Sequence, residues 1–224
     1  AARRSGVARN TAHRTLKTLE ALHWVTVDER QRYRLSGEPA RRFGSPWQGS
    51  SLTLAAHPPL RRLAQRLGET VYLAVRDGER SVNVQVIEGQ GLLRVAGALG
   101  QGFPLHACAP GKVFLAFEPG LLDRILRHRL ARITPATLTE APRLRAEVRR
   151  IRIDGHALNR EELARGLVGL AVPVLGAEAR CVAALGVLVP VSTCPAKDLV
   201  RRYREDLSRT RSEIERGLGP SDVR

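Results

Sequence analysis

Methionine is absent from this chain of 224 residues, and cysteine is scarce. The three cysteines, Cys108, Cys181 and Cys194, lie far apart, and no Cys-x-x-Cys pair occurs. This cysteine spacing matches neither a disulfide framework nor a structural zinc site. The pattern fits a reducing compartment, so we expect a cytoplasmic protein without a metal or another cofactor.

Long apolar runs are also missing. The longest, residues 182–191, is interrupted by Gly186 and Pro190. It is far shorter than the ~20 residues that cross a bilayer. No secretory signal pattern opens the chain, so we expect no membrane partner. Because the sequence lacks methionine and starts Ala-Ala-Arg-Arg, we interpret it as truncated at its N-terminus.

Lysine occurs only three times, so arginine supplies most of the formal net charge of +15. Residues 1–50 hold ten Lys or Arg against four Asp or Glu, whereas residues 51–224 hold 27 against 18. The positive charge is therefore densest near the N-terminus, as a phosphate-rich partner such as duplex DNA requires. A generally Arg-rich surface explains much of the remaining excess.

A short amphipathic helix after Gly6 is predicted near the N-terminus, with Asn10 or Thr11 as its N-cap. A polar hairpin over Val25–Leu35 follows, with a loop at residues 28–31. In helix-turn-helix proteins the start of the second helix reaches base edges in the major groove, where Arg pairs with guanine and Asn with adenine. The predicted DNA-contacting residues are Arg9, Asn10, Thr11, His13, Arg14, Lys17, Arg32 and Arg34.

The remaining sequence predicts a linker and a larger α+β domain with a mostly antiparallel sheet. We assign residues 1–36 to a partial DNA-binding domain, residues 37–58 to the linker and residues 59–224 to the larger domain. Strand-like alternation flanks the hairpin turn at Asp77-Gly78. Predicted strands cover residues 70–76, 81–87, 92–95, 170–175 and 181–189, and predicted helices cover 59–67, 110–117, 121–130, 143–154 and 195–218.

Five segments, in order along the chain, carry a family resemblance. They are Gly6–Val25, Pro59–Val86, Phe103–Lys112, Gly155–Pro173 and Ala183–Pro190. The third, FPLHACAPGK, is similar to the PLHATAxGKA signature of the IclR family of transcriptional regulators, and the others resemble segments of the same family. Together these segments extend over nearly the whole chain.

The resemblance implies a winged helix-turn-helix domain joined by a linker helix to a GAF-like effector-binding domain. It implies a homodimer or homotetramer on a palindromic operator of double-stranded DNA, a small organic effector and no enzymatic activity. The family's first DNA-domain helix has no counterpart in the sequence, so we expect an incomplete winged helix-turn-helix.

Several expected pocket positions depart from the family pattern. Asn159 replaces the usual Asp, Gly169 the frequent Cys, and Gly186 and Leu188 replace small hydroxyl residues. We expect the two glycines to add room and Leu188 to add apolar surface. Because fewer hydroxyl donors would hold a buried anion, an aromatic or apolar acid is predicted rather than a short keto acid. The residues expected to line the pocket are Leu92, Val95, Ala109, Pro110, Gly111, Asn159, Gly169, Leu170, Gly186 and Leu188.

Two other interpretations remain open at this point. Cys108, close to His106 in sequence, could serve a small-molecule hydrolase or transferase with a basic N-terminal appendage. A decayed regulator that binds ligand but no DNA is the second. We interpret Lys112 as a helix cap or a local ion-pair partner rather than part of a P-loop. We interpret Glu161 and Glu162 as surface acids at a helix start or in a loop rather than an acid–base pair.

Overall fold

The computed structural model describes residues 8–22, 24–27, 33–35, 50–90 and 99–218. The chain divides into two compact units, residues 1–46 and residues 47–224. Several predicted features lie outside the described residues: Gly6, Arg32, Leu92, Val95, the strand predicted at 92–95 and residues 37–49 of the linker.

The first unit contains one described helix and one strand pair. Helix α1 spans Arg9–Ala21. Strand β1, Val25–Val27, pairs antiparallel with β2, Tyr33–Leu35. The two strands of the predicted hairpin are therefore present and paired, with Val25 opposite Leu35.

The start of α1 differs from the prediction. Its N-cap is Ala8, which has extended backbone angles and makes no side-chain cap. Because Arg9 already has helical geometry, Asn10 and Thr11 lie inside the first turn, and the predicted N-cap at either residue is wrong.

The second unit combines a six-stranded sheet with five α-helices in the described residues. All described strand pairs are antiparallel, in the order β5-β4-β3-β8-β7-β6, which confirms the predicted α+β class. The strands are β3 (Thr70–Asp77), β4 (Arg80–Ile87), β5 (Gly102–Pro104), β6 (Ala157–Arg160), β7 (Leu167–Leu175) and β8 (Cys181–Pro190). The helices are α2 (Ser51–Leu67), α3 (Ala109–Phe117), α4 (Leu121–Ile125), α5 (Ala141–Asp154) and α6 (Leu199–Gly217).

Two apolar layers cover the two faces of this sheet. On one face, α2 and α6 pack on the large side chains of β7 and β8, such as Leu170 and Leu185. On the other face, α3, α4 and α5 pack on small residues, including Ala171 and Ala184. None of the helices in the described ranges is both long enough and apolar enough to cross a bilayer.

Helix α2 begins earlier than predicted. The expected start at Pro59 is wrong, because the helix runs from Ser51 and contains both Pro58 and Pro59. The last residues assigned to the linker therefore form its first two turns. Ser50 caps the helix by accepting a hydrogen bond from the Thr53 amide at 3.3 Å. A buried stripe that includes Leu52, Ala56, Leu60 and Leu63 outweighs the helix-breaking tendency of proline.

Other boundaries also differ from the predictions. Helix α4 ends at Ile125 rather than at residue 130, and α6 begins at Leu199 rather than at Pro195. Strands β5 and β6 were not predicted, because three or four residues are too few to show a clear alternation.

Candidate functional site

A cavity of about 490 Å³ lies on the face of the sheet that α3 covers incompletely. Residues of β3, β4, β6, β7 and β8 border it, beyond the alanines that pack against α3 and α5. Its described lining consists of Thr70, Tyr72, Arg80, Asn83, Val86, Gln101, Gly102, Phe103, Pro104, Cys108, Ala109, Pro110, Ile133, Asn159, Leu163, Ala164, Leu167 and Leu188.

Four of the predicted pocket residues line this cavity: Ala109, Pro110, Asn159 and Leu188. Leu170 does not, because strand alternation turns it to the opposite face, where it is fully buried in the α2–α6 layer. The prediction that Leu170 lines the cavity is wrong.

Gly111 is also misplaced in the prediction. A Cβ atom at this position would lie 2.3 Å from the carbonyl oxygen of Leu105 and 2.5 Å from its Cα. The glycine therefore allows α3 to pack directly against the short 3₁₀ turn Leu105–Ala107, and it is not part of the described lining.

The two strand glycines face the cavity side but leave no empty space. A Cβ atom on Gly186 would lie 2.3 Å from both Cζ and Oη of Tyr72. A Cβ atom on Gly169 would lie 2.9 Å from the carbonyl oxygen of Val187 and 3.3 Å from Cδ1 of Leu188. The prediction that these glycines add room is therefore wrong, since larger side chains from the neighbouring strands cover both and form the cavity floor.

Several polar groups of the cavity lining are suited to ligands that carry hydrogen-bond acceptors. The Asn159 Oδ1 atom accepts a hydrogen bond from the Glu162 amide at 3.0 Å, which leaves its Nδ2 group as a donor beside the cavity. The Tyr72 hydroxyl and the side-chain amide of Asn83 have no hydrogen-bond partner within the described part of the chain. No Asp or Glu belongs to the described lining, and Arg80 is its one cation.

A buried ion pair holds the loop that forms one wall of the cavity. Lys112 on α3 is completely buried, and its Nζ lies 2.6 Å from Glu162 Oε1. The carboxylate also accepts a hydrogen bond from the Arg160 amide, and Leu163, the next residue, lines the cavity. Glu162 is therefore a buried structural acid, and its expected position on the surface is wrong; Lys112 pairs with a residue distant in sequence rather than locally.

Glu147 on α5 completes this charged cluster. Its Oε1 lies 3.7 Å from Lys112 Nζ and 3.1 Å from Arg160 Nη1. Burial opposes ionisation, but Lys112, Arg160 and Arg150 together hold the pKa of Glu147 below its usual value. These contacts fix α3, α5 and the wall of the cavity to one another.

Cys108 lines the cavity but lacks the features of a nucleophile. Its thiol donates a hydrogen bond to the Pro104 carbonyl at 3.4 Å, and burial raises its pKa to about 11. The neighbouring His106 is bonded through Nε2 to the Ala131 carbonyl oxygen at 2.9 Å. A thiol in this state is protonated at neutral pH and unactivated, so the geometry does not support the hydrolase or transferase interpretation. The described residues also contain no His, Cys, Asp and Glu cluster suited to a metal.

Three polar residues of the lining were not predicted from the sequence: Tyr72, Arg80 and Asn83. They lie on β3 and β4, where a bulge beside Leu73 and Ala74 disturbs the two-residue period. Because Val84 and Gln85 both turn toward α2, the cavity-facing residues Asn83 and Val86 are three positions apart. A polar Asn within a predicted buried strand was the available signal.

The predicted DNA-contacting residues of α1 share an exposed surface. Five of them have exposed side chains: Asn10, Thr11, His13, Arg14 and Lys17. Lys17 also forms an ion pair with Glu20 at 2.9 Å, and this contact raises its pKa. Only the backbone is described for Arg9 and Arg34.

Comparisons with known proteins define the class. Residues 48–216 match the family model "Bacterial transcriptional regulator IclR C-terminal". The chain is 38% identical to the HTH-type transcriptional regulator Rv1719 of Mycobacterium tuberculosis over 204 residues, which is 90% of this chain and 76% of the relative. The protein is therefore a transcriptional regulator and not an enzyme. The chain belongs to the IclR family.

Solved structures show the same fold. A transcriptional regulator from Rhodococcus sp. RHA1 matches with a TM-score of 0.75 at 29% identity, covering 97% of this chain and 87% of the other. An IclR homologue from Microbacterium hydrocarbonoxydans, solved in complex with 4-hydroxybenzoate, matches with a TM-score of 0.69 at 23% identity, covering 97% of this chain and 88% of the other.

Proposed function

We propose that this regulator binds operator DNA under the control of a small aromatic or apolar acid held in the cavity. The observation that carries the proposal is the lining, in which apolar side chains surround a few donor groups and the described residues include no acid. Ligand sites commonly combine an apolar enclosure with a few oriented polar groups.

The chemistry of the lining favours an anion with an apolar body. Phe103, Ile133, Leu167 and Leu188 supply apolar contacts. Arg80 is exposed and lines the cavity. It donates a hydrogen bond to the Gly102 carbonyl, which holds the guanidinium near the cavity. A carboxylate gains from charge-assisted bonds to such donors, whereas a second acid in the lining would repel it.

Calorimetric titration of the chain tests the effector class. Benzoate and 4-hydroxybenzoate are expected to bind more tightly than glyoxylate and pyruvate, because only the aromatic acids bury a large apolar surface. Their binding is expected to show a negative heat-capacity change. Tight binding of glyoxylate or pyruvate alone would contradict the proposal.

Asn159→Asp tests the donor role of the amide. The aspartate keeps an oxygen to accept the Glu162 amide, but it replaces the Nδ2 donor by a negatively charged oxygen. Affinity for an aromatic acid is expected to fall by about tenfold or more, whereas the neutral analogue benzamide is expected to be less affected. Equal losses for the acid and the amide would count against a bound carboxylate.

The proposed DNA contact involves the exposed residues of α1. The Arg14 side chain is exposed and has no ion-pair or hydrogen-bond partner in the described ranges. Lys17 is partly neutralised by Glu20, so we expect it to contribute less than Arg14. The resemblance to a winged helix-turn-helix supports adding Arg9, Arg32 and Arg34 to the proposed interface.

Fluorescence anisotropy with a duplex selected from a random library tests the DNA contact. Arg14→Ala is expected to weaken binding by about 1–3 kcal/mol. Arg202→Ala, which removes an α6 guanidinium bonded to the Thr193 carbonyl, is the matched control and is expected to have little effect. Affinity should fall steeply with added salt. Equal effects of both variants, or acid binding without any selected duplex, would contradict the proposal.

We further propose that the chain acts as a homodimer or homotetramer, so that two α1 helices reach the two halves of a palindromic operator. Effector binding would then shift the population of arrangements that fit both half-sites. Multi-angle light scattering with and without DNA measures the state directly. A monomer that binds a palindrome and a single half-site equally well would contradict this part of the proposal.

A further inference from the structure

Tyr72 and Gly186 form a closely matched pair on the cavity floor. They are directly opposite each other on the neighbouring antiparallel strands β3 and β8. The space that a side chain at Gly186 would need is occupied by the end of the tyrosine ring, since a Cβ atom would lie 2.3 Å from both Cζ and Oη. Only glycine leaves room for the tyrosine ring at position 186, and the ring forms the cavity floor at this point.

The Tyr72 hydroxyl faces the cavity and has no hydrogen-bond partner in the described part of the chain. The residue is 4% exposed and belongs to the cavity lining. The nearby Cys108 thiol does not satisfy it, because that thiol donates to the Pro104 carbonyl. Burial raises the pKa of Tyr72 above its usual value, so the hydroxyl stays protonated and available as a donor.

A hydroxyl that faces a largely apolar cavity gains most when a ligand or water satisfies it. Asn159, whose Nδ2 is also left as a donor, lines the same cavity. Both groups would be satisfied by one ligand that carries acceptor oxygens. An exclusively apolar ligand would instead leave both donors unpaired.

We propose that Tyr72, packed against Gly186, is a specificity-determining residue of the effector cavity and donates a hydrogen bond to an acceptor oxygen of the effector. This inference rests on the proposed function, since it names one determinant of the same site. The ring also limits the depth of the cavity, so the Tyr72–Gly186 pair selects effectors by size and by the presence of an acceptor.

The direct test is calorimetric titration of Tyr72→Phe, which keeps the ring on Gly186 and removes only the hydroxyl. The probes are benzoate, 4-hydroxybenzoate and the neutral ketone acetophenone. Affinity for a probe with an acceptor oxygen is expected to fall by about tenfold to a hundredfold, while the melting temperature stays close to that of the unchanged chain. Wild-type affinity in Tyr72→Phe would overturn the inference.

A matched control comes from the other face of the sheet. The Tyr203 hydroxyl donates to Glu69 Oε1 at 3.0 Å and is not part of the described cavity lining. Tyr203→Phe is expected to lower the melting temperature and leave probe affinity unchanged. If both tyrosine variants lowered affinity equally, the role of Tyr72 would be merely structural and the inference would fail.

The size role is tested with Gly186→Ala and with the double variant Tyr72→Leu, Gly186→Ala. The single variant is expected to displace the ring and lose benzoate binding. The double variant removes the clash and deepens the floor, so 2-naphthoate is expected to gain affinity relative to benzoate. Unchanged benzoate affinity in Gly186→Ala would overturn the pairing.

Titration of the unchanged chain distinguishes failure of the proposed effector class from failure of the Tyr72 inference. If it binds acetophenone but no acid, the proposed effector class fails and the Tyr72→Phe ratio for acetophenone still decides the inference. If acids bind and Tyr72→Phe has no effect, the proposed function stands and the inference fails. If no probe binds, both are contradicted.

Discussion

The two faces of the six-stranded sheet are built from the same strands but differ in composition. On β7 and β8, the face beneath α2 and α6 carries large side chains such as Val168, Leu170 and Val187, which are fully buried. The opposite face carries Gly169 and Gly186. One face is filled by two long helices, whereas the other is only partly covered and contains the cavity.

This difference separates stability from recognition within one sheet. Close packing of large apolar residues supplies most of the folding free energy. Small residues on the second face would leave voids, but the side chains of Tyr72 and Leu188 lie over the glycines of the neighbouring strands. The cavity floor is therefore made by cross-strand neighbours, and the ion pair of Lys112 with Glu162 holds its wall.

The largest effect is expected when the buried charge on the cavity side loses its partner. Lys112→Met leaves Glu162 buried without the ammonium 2.6 Å away, so the free energy of unfolding is expected to fall by about 3–5 kcal/mol. Urea denaturation measures this change. Replacing both residues by methionine removes both charges and is expected to recover most of the loss. A single variant within about 1 kcal/mol of the unchanged chain would show that the pair is not needed.

The next prediction compares two leucines on opposite faces. Leu170→Ala opens a void in the fully buried layer and is expected to cost about 2–5 kcal/mol of unfolding free energy. Leu188→Ala removes a half-buried side chain that borders the cavity, so its cost is expected to be below about 2 kcal/mol, with a clear change in ligand affinity. Thermal denaturation of both variants measures the loss of stability, and calorimetry measures the change in ligand affinity. Similar losses of stability in the two variants would contradict the prediction.

The strongly periodic strands and helices of the two faces were predictable from the sequence. Strands β3, β4, β7 and β8 and helix α5 show clear apolar patterns, and their positions are confirmed to within a few residues. Faces were harder to assign, because a continuous apolar run such as that around Leu170 gives no sign of which residues point to the cavity. The interpretation of Gly169 and Gly186 failed because local sequence cannot show which side chain from another strand fills the space.

Polar contacts were also beyond prediction where they join distant segments. Lys112 and Glu162 are 50 residues apart, and nothing in either local sequence marks them as partners. The bulge at Leu73 and Ala74 likewise depends on strand pairing, and it brings Asn83 to the cavity out of period. Tertiary structure therefore determined the parts of the site that composition and spacing did not show.

The smallest predicted effect is a pH dependence from the buried thiol of Cys108. Burial raises its pKa to about 11, whereas the thiol of an unfolded chain has a pKa of about 8.5. The unfolded chain therefore loses its proton first, and the stabilisation present at lower pH is lost as pH rises between these values. The difference is on the order of 1–3 kcal/mol. Denaturation at pH 8 and pH 11 should show a shallower decline for Cys108→Ala, and identical declines would exclude a buried protonated thiol.

The most direct measurement for the central claim is a crystal structure of the chain soaked with 4-hydroxybenzoate. We expect the aromatic ring to lie on the floor formed by Tyr72 and Leu188, with a ligand oxygen within hydrogen-bond distance of the Tyr72 hydroxyl or Asn159 Nδ2. Ligand density elsewhere, with this cavity unchanged and filled only by water at saturating acid, would contradict the claim that the partly covered face of the sheet is the effector site.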